Sequence, residues 1–183
     1  MNEGRDPVAA VLDMLTRAAK DRNAGPLRWP VLATAADGAG ADARMLVLRR
    51  FDRAARVLEL HTDARAPKVA QLKADPRCAL VFFDPRGKVQ LRVQGRASVH
   101  EKDAMADTAF ERAGKASLDD YRGAAPGAAL TGDESRSGEA RANFAALRIA
   151  MVEADWLKLS RSGHERWRID FSTPEASAVA IAP

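Results

Sequence analysis

Apolar residues follow two rhythms along this chain. In residues 7–21, PVAAVLDMLTRAAKD, Val8, Val11, Leu12 and Leu15 recur at helical spacing. Asp6 suits an N-cap and Pro7 the first helical position, so a helix is expected over about 7–22. Glycine and prolines then mark NAGPLRWP (23–30) as a loop. From there the rhythm shortens to strand spacing. VLATAA (31–36), ARMLVLRRF (43–51), RVLELHT (56–62), RCALVFFD (77–84) and KVQLRVQGRASVH (88–100) read as strands, with turns at DGAGAD, DRAA and PRGK. APKVAQLKAD (66–75) is a short helix placing Val69 and Leu72 inward, with Pro67 tolerated in its first turn.

Residues 101–122 are mostly helical in pattern, and 123–140 form a loop of glycine, alanine and small polar residues, long enough to be functional or mobile. Strands resume at FAALRIAMVEA (144–154) and RWRIDF (166–171), and the short apolar tail SAVAIAP is expected to dock. Short strands in succession predict a mainly β barrel or sandwich. We expect a single domain over 1–183, with 101–142 as a helical and loop insertion.

The strand at 88–100 separates two chemistries. Val89, Leu91 and Val93 point one way, and Gln90, Arg92, Gln94 and Arg96 the other. The first face fills a core; the second meets solvent, a ligand or a partner subunit.

With 183 residues, 46% of them hydrophobic, the chain can bury a real core. Charged residues make up 30%, yet the net charge is only +4 and the signs alternate, as expected of a solvated surface. Only 5% of residues are aromatic, too few for a stacking platform, so nucleic acid is not the expected partner. Cys78, the single cysteine, sits in an apolar run as a small core residue. No apolar stretch is long enough to span a bilayer and no secretory apolar region opens the chain, so a cytoplasmic protein is expected. His61, His100 and His164 are scattered without metal-ligand spacing. No nucleophile–base order or glycine-rich phosphate loop occurs, so any redox chemistry would belong to a cofactor.

HTDARAPK (61–68) gathers Thr62, Arg65 and Lys68 where a strand gives way to a helix. A helix N-terminus offers free N–H groups and the positive end of a dipole, which favour phosphate. ARMLVLRR adds Arg44 and Arg49 on a strand, and VQLRVQG adds Gln90. Taken singly, each has a plainer reading: Lys68 as a surface lysine, Thr62 and Asp63 as helix caps, Gln90 as a solvated strand residue, Trp156 as packing.

The motifs RxLVLRxF, TDxRxxK, QLRVxG and a distal GHxR, in that order, resemble the pyridoxamine 5'-phosphate oxidase family of FMN-binding split barrels. The likeness is close over about residues 31–100 and looser over 143–171. It implies a six-stranded antiparallel split β-barrel with flanking helices, forming a homodimer with FMN in the cleft between subunits. Carried over by position, it implies cofactor contacts from Arg44, Met45, Leu46, Val47 and Arg49 on one strand, and from His61, Thr62, Arg65 and Lys68 at the corner. Gln90 would face the isoalloxazine, and Trp156 and Arg166 would complete the flavin site. Arg49 and His164 would lie on the substrate side. This chain has Pro67 where the typical oxidase has a phosphate-binding arginine, and Ala66 where serine is common; Arg65 would supply the missing charge. The tyrosine, arginine and serine that hold the substrate phosphate in that oxidase have no clean match in FERAGKASLDDYRG. The resemblance thus implies an FMN-binding flavoprotein, either an oxidoreductase with a small-molecule substrate or a carrier or sensor without turnover.

Overall fold

Asp6 begins the first helix as its pattern predicts. In the computed structural model, which describes residues 6–21, 23–36, 38, 40–114, 118–130 and 139–183, its carboxylate accepts the Val8 N–H at 2.9 Å. Helix α1 runs Pro7–Lys20 and buries Val11, Met14, Leu15 and Ala18. Four strands follow: β1 (Val31–Ala36), β2 (Gly40–Met45), β3 (Leu48–Asp52) and β4 (Val57–Asp63). Helix α2 (Pro67–Ala74) leads to β5 (Arg77–Asp84) and β6 (Val89–His100). After helix α3 (Ala104–Arg112) come β7 (Phe144–Lys158), β8 (Glu165–Asp170) and β9 (Ser177–Ala180).

The strands make one antiparallel sheet in the order β2-β1-β5-β6-β7-β4-β3, with β8 paired to β7 and β9 to β8. The sheet does not close. One edge of β7 holds β6 along most of its length. Its other edge is shared, with β4 on Phe144–Ala150 and β8 on Glu153–Lys158. That fork splits the barrel. Leu32, Leu58, Leu60, Leu80, Phe82, Leu91, Val93, Leu147 and Ile149 fill the core, which α1 covers. At Gly95 the β6–β7 register shifts, and a Cβ there would lie 2.6 Å from both the Ala150 carbonyl oxygen and Ile149 Cγ2. The glycine lets the strands approach at this bulge.

The described residues contain nine strands, not six. The run 43–51 does not form one strand. It breaks at Leu46–Val47, where the Leu46 N–H donates to the Pro30 carbonyl at 3.0 Å. β2 then pairs with β1, and β3 with β4. The tail docks through a backbone ladder on β8 and leaves its side chains exposed. Among the described residues, the segment 101–122 holds α3 and a 3-10 turn at Asp119–Tyr121, and residues 115–117 lie outside them. Of the loop expected at 123–140, residues 131–138 lie outside the described residues. No described helix is long and apolar enough to cross a membrane.

Candidate functional site

The end of β4 and the start of α2 build a cationic corner. Lys68 Nζ donates to the buried Thr62 hydroxyl at 3.2 Å. Arg44 Nη1 donates to Thr34 Oγ1 at 2.7 Å and its Nη2 to Gln71 Oε1 at 3.2 Å, while Thr34 donates to the same Gln71 oxygen at 2.6 Å. Asp42 pairs with Arg44 and accepts the Gln71 amide at 3.1 Å. The Gln71 hydrogen bond, and then Arg44, hold the Asp42 carboxyl below the usual carboxylate range. Burial, and then the positive charge of Arg44, push Lys68 below the usual lysine range, while Asp63 and Asp42 pull it back.

Three cations, Arg44, Arg65 and Lys68, thus face two carboxylates, Asp42 and Asp63. Lys68 makes no ion pair within 4 Å among the described residues. Ala66 caps α2 with no side-chain hydrogen bond; Pro67 has no N–H and the Val69 N–H donates to the Ala66 carbonyl at 2.9 Å, so the first turn leaves the Lys68 N–H to other acceptors. A hydroxyl, an ammonium, a guanidinium and one open helix N–H are a donor set that fits a phosphate ester.

Arg65 is engaged elsewhere. Its Nε and Nη2 donate to the buried Asp63 carboxylate at 3.0 and 2.7 Å, and its Nη1 to the Gly123 carbonyl at 2.9 Å. It ties the segment after the 3-10 turn to the corner. Asp63 therefore holds Arg65 and does not cap α2.

A second group lies on the sheet face turned away from the core. Phe83, Gln90, Leu157 and Arg166 form one row across β5, β6, β7 and β8. Met45 and Phe83, 60% and 48% exposed, are large apolar side chains on that face. Arg166 donates to Asp155 through Nε at 3.0 Å and Nη2 at 2.7 Å, and Arg92 stands 3.5 Å from the same carboxylate. These cations, Arg166 first, hold the Asp155 carboxyl below the usual range.

Trp156 departs from the expected flavin site. It pairs with Leu91 and Trp167, on the opposite face from Gln90 and Arg166, and lies in the core at 5% exposure. Leu46 and Val47 form the link between β2 and β3, with Leu46 packed against the core. His164 is exposed in the β7–β8 turn, where its Nδ1 accepts the Ser160 N–H at 3.2 Å.

Arg49 occupies the bulge of β3, between Leu48, which pairs with Leu60, and Arg50, which pairs with Glu59. Its Nε is buried without a hydrogen-bond partner among the described residues. With Arg28, Arg50, Glu59, His61 and Arg112 it lines a pocket of about 220 Å³. Tyr121 is close enough to feel the Arg49 charge, although burial dominates and pushes its hydroxyl up to about 12.

Arg49 and His164 do not meet within one chain. Leu60 pairs with Leu147 on β7, whereas His164 follows Lys158, the last residue of β7. That stretch of extended strand spans roughly 35 Å. Likewise Thr62 pairs with Ala145 and Gln90 with Leu157, near opposite ends of β7. Thr34, Gln71, Glu59, Arg112 and Tyr121 were not anticipated from the sequence. Gln71, three residues after Lys68 on one helix face, was the legible signal among them. Among the described residues no group of three or more His, Cys, Asp and Glu side chains could hold a metal.

The family model described as pyridoxamine 5'-phosphate oxidase, FMN-binding domain, matches residues 9–101. A pyridoxine/pyridoxamine 5'-phosphate oxidase of Anaeromyxobacter dehalogenans is 38% identical over 111 residues, covering 57% of this chain and 51% of that protein. The Caulobacter vibrioides oxidase of the same name is 33% identical over 90 residues, covering 49% of this chain and 39% of its own length. The chain thus spans about half the length, or less, of these curated relatives. A pyridoxamine 5'-phosphate oxidase-related, FMN binding protein from Nostoc punctiforme superposes with a TM-score of 0.81 at 21% identity, covering 98% of this chain and 100% of its own. PhzG from Burkholderia lata, solved with tetrahydrophenazine-1-carboxylic acid, gives 0.78 at 14% identity, covering 100% and 95%. At those identities the two structures establish the fold alone.

Proposed function

The chain belongs to the pyridoxamine 5'-phosphate oxidase FMN-binding family, and from that premise we propose that it is an FMN-dependent oxidoreductase acting on a small molecule. The observation that carries this reading is the corner of Lys68, Thr62 and Arg44 at the open start of α2. Those groups hold the cofactor phosphate. Once bound, FMN supplies hydride chemistry at its ring. Gln90 and Arg166 would hold the flavin ring, with Met45 and Phe83 on the same face of the sheet. Arg49 faces the substrate, its bare Nε suited to an anionic group.

The active form is a homodimer. The phosphate corner lies near one end of β7, and the Gln90–Arg166 row near the other. A second copy brings one chain's corner against the other's row, covers Met45 and Phe83, and lets His164 of one chain approach Arg49 of the other. We place the protein in the cytoplasm, without nucleic-acid or membrane partners.

The test is the absorption spectrum of the purified protein, with mass identification of any released chromophore and light scattering at micromolar concentration. Yellow, dimeric protein releasing FMN is expected. Colourless protein that does not quench added FMN overturns the proposal, and a monomer overturns its dimeric form. A carrier without turnover is the second reading, favoured by the departure at FERAGKASLDDYRG from the residues that hold the substrate phosphate in the typical oxidase. Oxygen consumption with pyridoxamine or pyridoxine phosphate would eliminate it.

A further inference from the structure

Strand β6 ends beside the start of α3, and the junction lines up three side chains that cofactor binding does not use. Ser98 and His100 alternate on β6 with Ala97 and Val99. Ala97 and Val99 pack against the core, so Ser98 and His100 share the opposite face. Asp103, just beyond the strand, caps α3 as its Oδ1 accepts the Ala106 N–H at 2.8 Å. Its other oxygen, Oδ2, stands 2.8 Å from His100 Nδ1. On the far side of the ring, His100 Nε2 stands 3.0 Å from the Ser98 hydroxyl oxygen. The Ala106 N–H first, and then His100, hold the Asp103 carboxyl below the usual range.

A carboxylate beside Nδ1 favours the imidazole tautomer protonated there, which turns the Nε2 lone pair toward Ser98. The hydroxyl then has two acceptors within reach, Nε2 at 3.0 Å and the Arg148 carbonyl at 3.3 Å. Carboxylate to imidazole to hydroxyl is the connectivity that activates a serine for attack on an acyl carbon. Capping α3 needs only Oδ1 of Asp103 and does not account for the link to Ser98. Space for a substrate adjoins the line: Ser98 and His100 open onto a cavity of about 470 Å³, with Arg96, Arg148, Val57 and Ala150 around them. Neither arginine makes an ion pair within 4 Å among the described residues, and Arg148 Nη1 donates to a weak acceptor, Met105 Sδ, at 3.2 Å. Two guanidinium groups without a carboxylate partner favour an oxyanion, and an acyl group that carries its own negative charge.

We propose that Ser98, His100 and Asp103 form a hydrolytic site for small carboxylic esters, foremost those with an anionic acyl group. Ser98 and His100 are its catalytic residues and Asp103 the positioning residue. Ser98 Oγ bonds to the ester carbonyl carbon as its proton passes to His100 Nε2, and the carbonyl electron pair moves onto the oxygen facing Arg96 and Arg148. Collapse breaks the ester C–O bond, and His100 gives the proton to the departing alcohol. Water then attacks the acyl-serine and yields a proton to Nε2. A second collapse frees the carboxylic acid, and that proton returns to Ser98 Oγ. One water is consumed and nothing is oxidised or reduced. The site goes beyond the proposed function and uses none of the residues assigned to FMN.

The purified protein, with whatever flavin it carries, is assayed with 4-nitrophenyl acetate and with the 4-nitrophenyl half-ester of succinic acid. Release of 4-nitrophenolate reports turnover. A fluorophosphonate probe reports the nucleophile through the mass of the labelled peptide. We expect turnover of both esters above the buffer rate, a higher kcat/KM for the half-ester, and phosphonylation at Ser98. Ser98→Ala and His100→Gln should each lose about a hundredfold or more, the scale of general-base assistance. The double variant should lose no more than either alone, because the two act as a unit. Asp103→Asn keeps a capping oxygen and should lower kcat with KM little changed. Ser98 is exposed on its strand, so its alanine variant should fold, with an unchanged urea midpoint. No turnover above buffer, a rate retained in Ser98→Ala, or a label on another residue overturns the inference. Equal kcat/KM for the two esters overturns the preference for an anionic acyl group. Colourless protein counts against the flavin alone and leaves this assay readable.

Discussion

Lys68→Ala should weaken FMN binding without weakening the fold. The ammonium donates to a buried hydroxyl at 3.2 Å, and both its burial and Arg44 disfavour its charge. An arriving phosphate supplies the missing counter-charge, and a hydrogen bond to a charged group contributes about 1.5–3 kcal/mol. At 1.4 kcal/mol per decade, that is a roughly ten- to hundredfold loss of affinity. The empty protein responds with the opposite sign. Folding depresses Lys68 below its usual 10.5, so between the folded and unfolded values the unfolded chain binds more protons. The stability penalty is therefore present in full at neutral pH and is relieved as pH rises toward 10.5. Alanine removes the penalty, so apo stability at neutral pH should hold or rise slightly, and this part of its alkaline increase should vanish. Fluorescence-quenching titrations with FMN at fixed salt, with urea unfolding of the apo protein, measure both. An FMN affinity within about twofold of the parent (under 0.5 kcal/mol), or a fall in affinity and stability together, would refute the reasoning.

Other perturbations probe the frame around the corner. Gly95→Ala forces a Cβ against the Ala150 carbonyl and Ile149, and should lower unfolding stability by about 1–3 kcal/mol, as overpacking does; an unchanged urea midpoint would deny the close approach. Burial pushes the Cys78 thiol up to about 12, so iodoacetamide at mildly alkaline pH should modify it only after denaturation. Asp155 is held below 3.8 chiefly by Arg166, so its contribution is present above that value and lost as pH falls through the lower folded value. Asp155→Asn should thus be less stable than the parent at neutral pH, with the gap closing in acid. Arg65→Ala frees the Gly123 carbonyl and should hasten proteolysis near residues 122–125, while an unchanged cleavage pattern would show that the Arg65–Gly123 contact carries no weight.

The alternation in β6 was legible because one rule decides it: Leu91 and Val93 lie inside and Gln90, Arg92, Gln94 and Arg96 outside the core. β4 obeys the same alternation, yet Glu59, His61 and Asp63 are buried along with Leu58 and Leu60, because α3 and the 3-10 turn at Asp119–Tyr121 cover its second face. No local pattern announces that cover. The break at Leu46–Val47 was hidden by the unbroken apolar run Met45–Leu48, since what ends β2 is the different partners of its two halves. The family resemblance made Trp156 and Arg166 companions in the flavin site. Which face each takes depends on the register across the β7–β8 turn, where Trp156 opposes Trp167 and Arg166 opposes Leu157.

The corner itself was legible in composition but not in division of labour. Thr62, Arg65 and Lys68 do converge at the start of α2, yet Arg65 spends its fork on Asp63 and the Gly123 carbonyl. Arg44 shares its charge with Asp42 and its donors with Thr34 and Gln71. Lys68 alone of the three meets no carboxylate within ion-pair distance among the described residues. With Pro67 lacking an N–H and Ala66 lacking a hydroxyl, few other donors stand beside it. Recognition of a phosphate therefore concentrates on one half-buried ammonium and the first turn of one helix, which is why a single substitution at Lys68 separates a cofactor site from an ordinary surface more sharply than any change at Arg65 could.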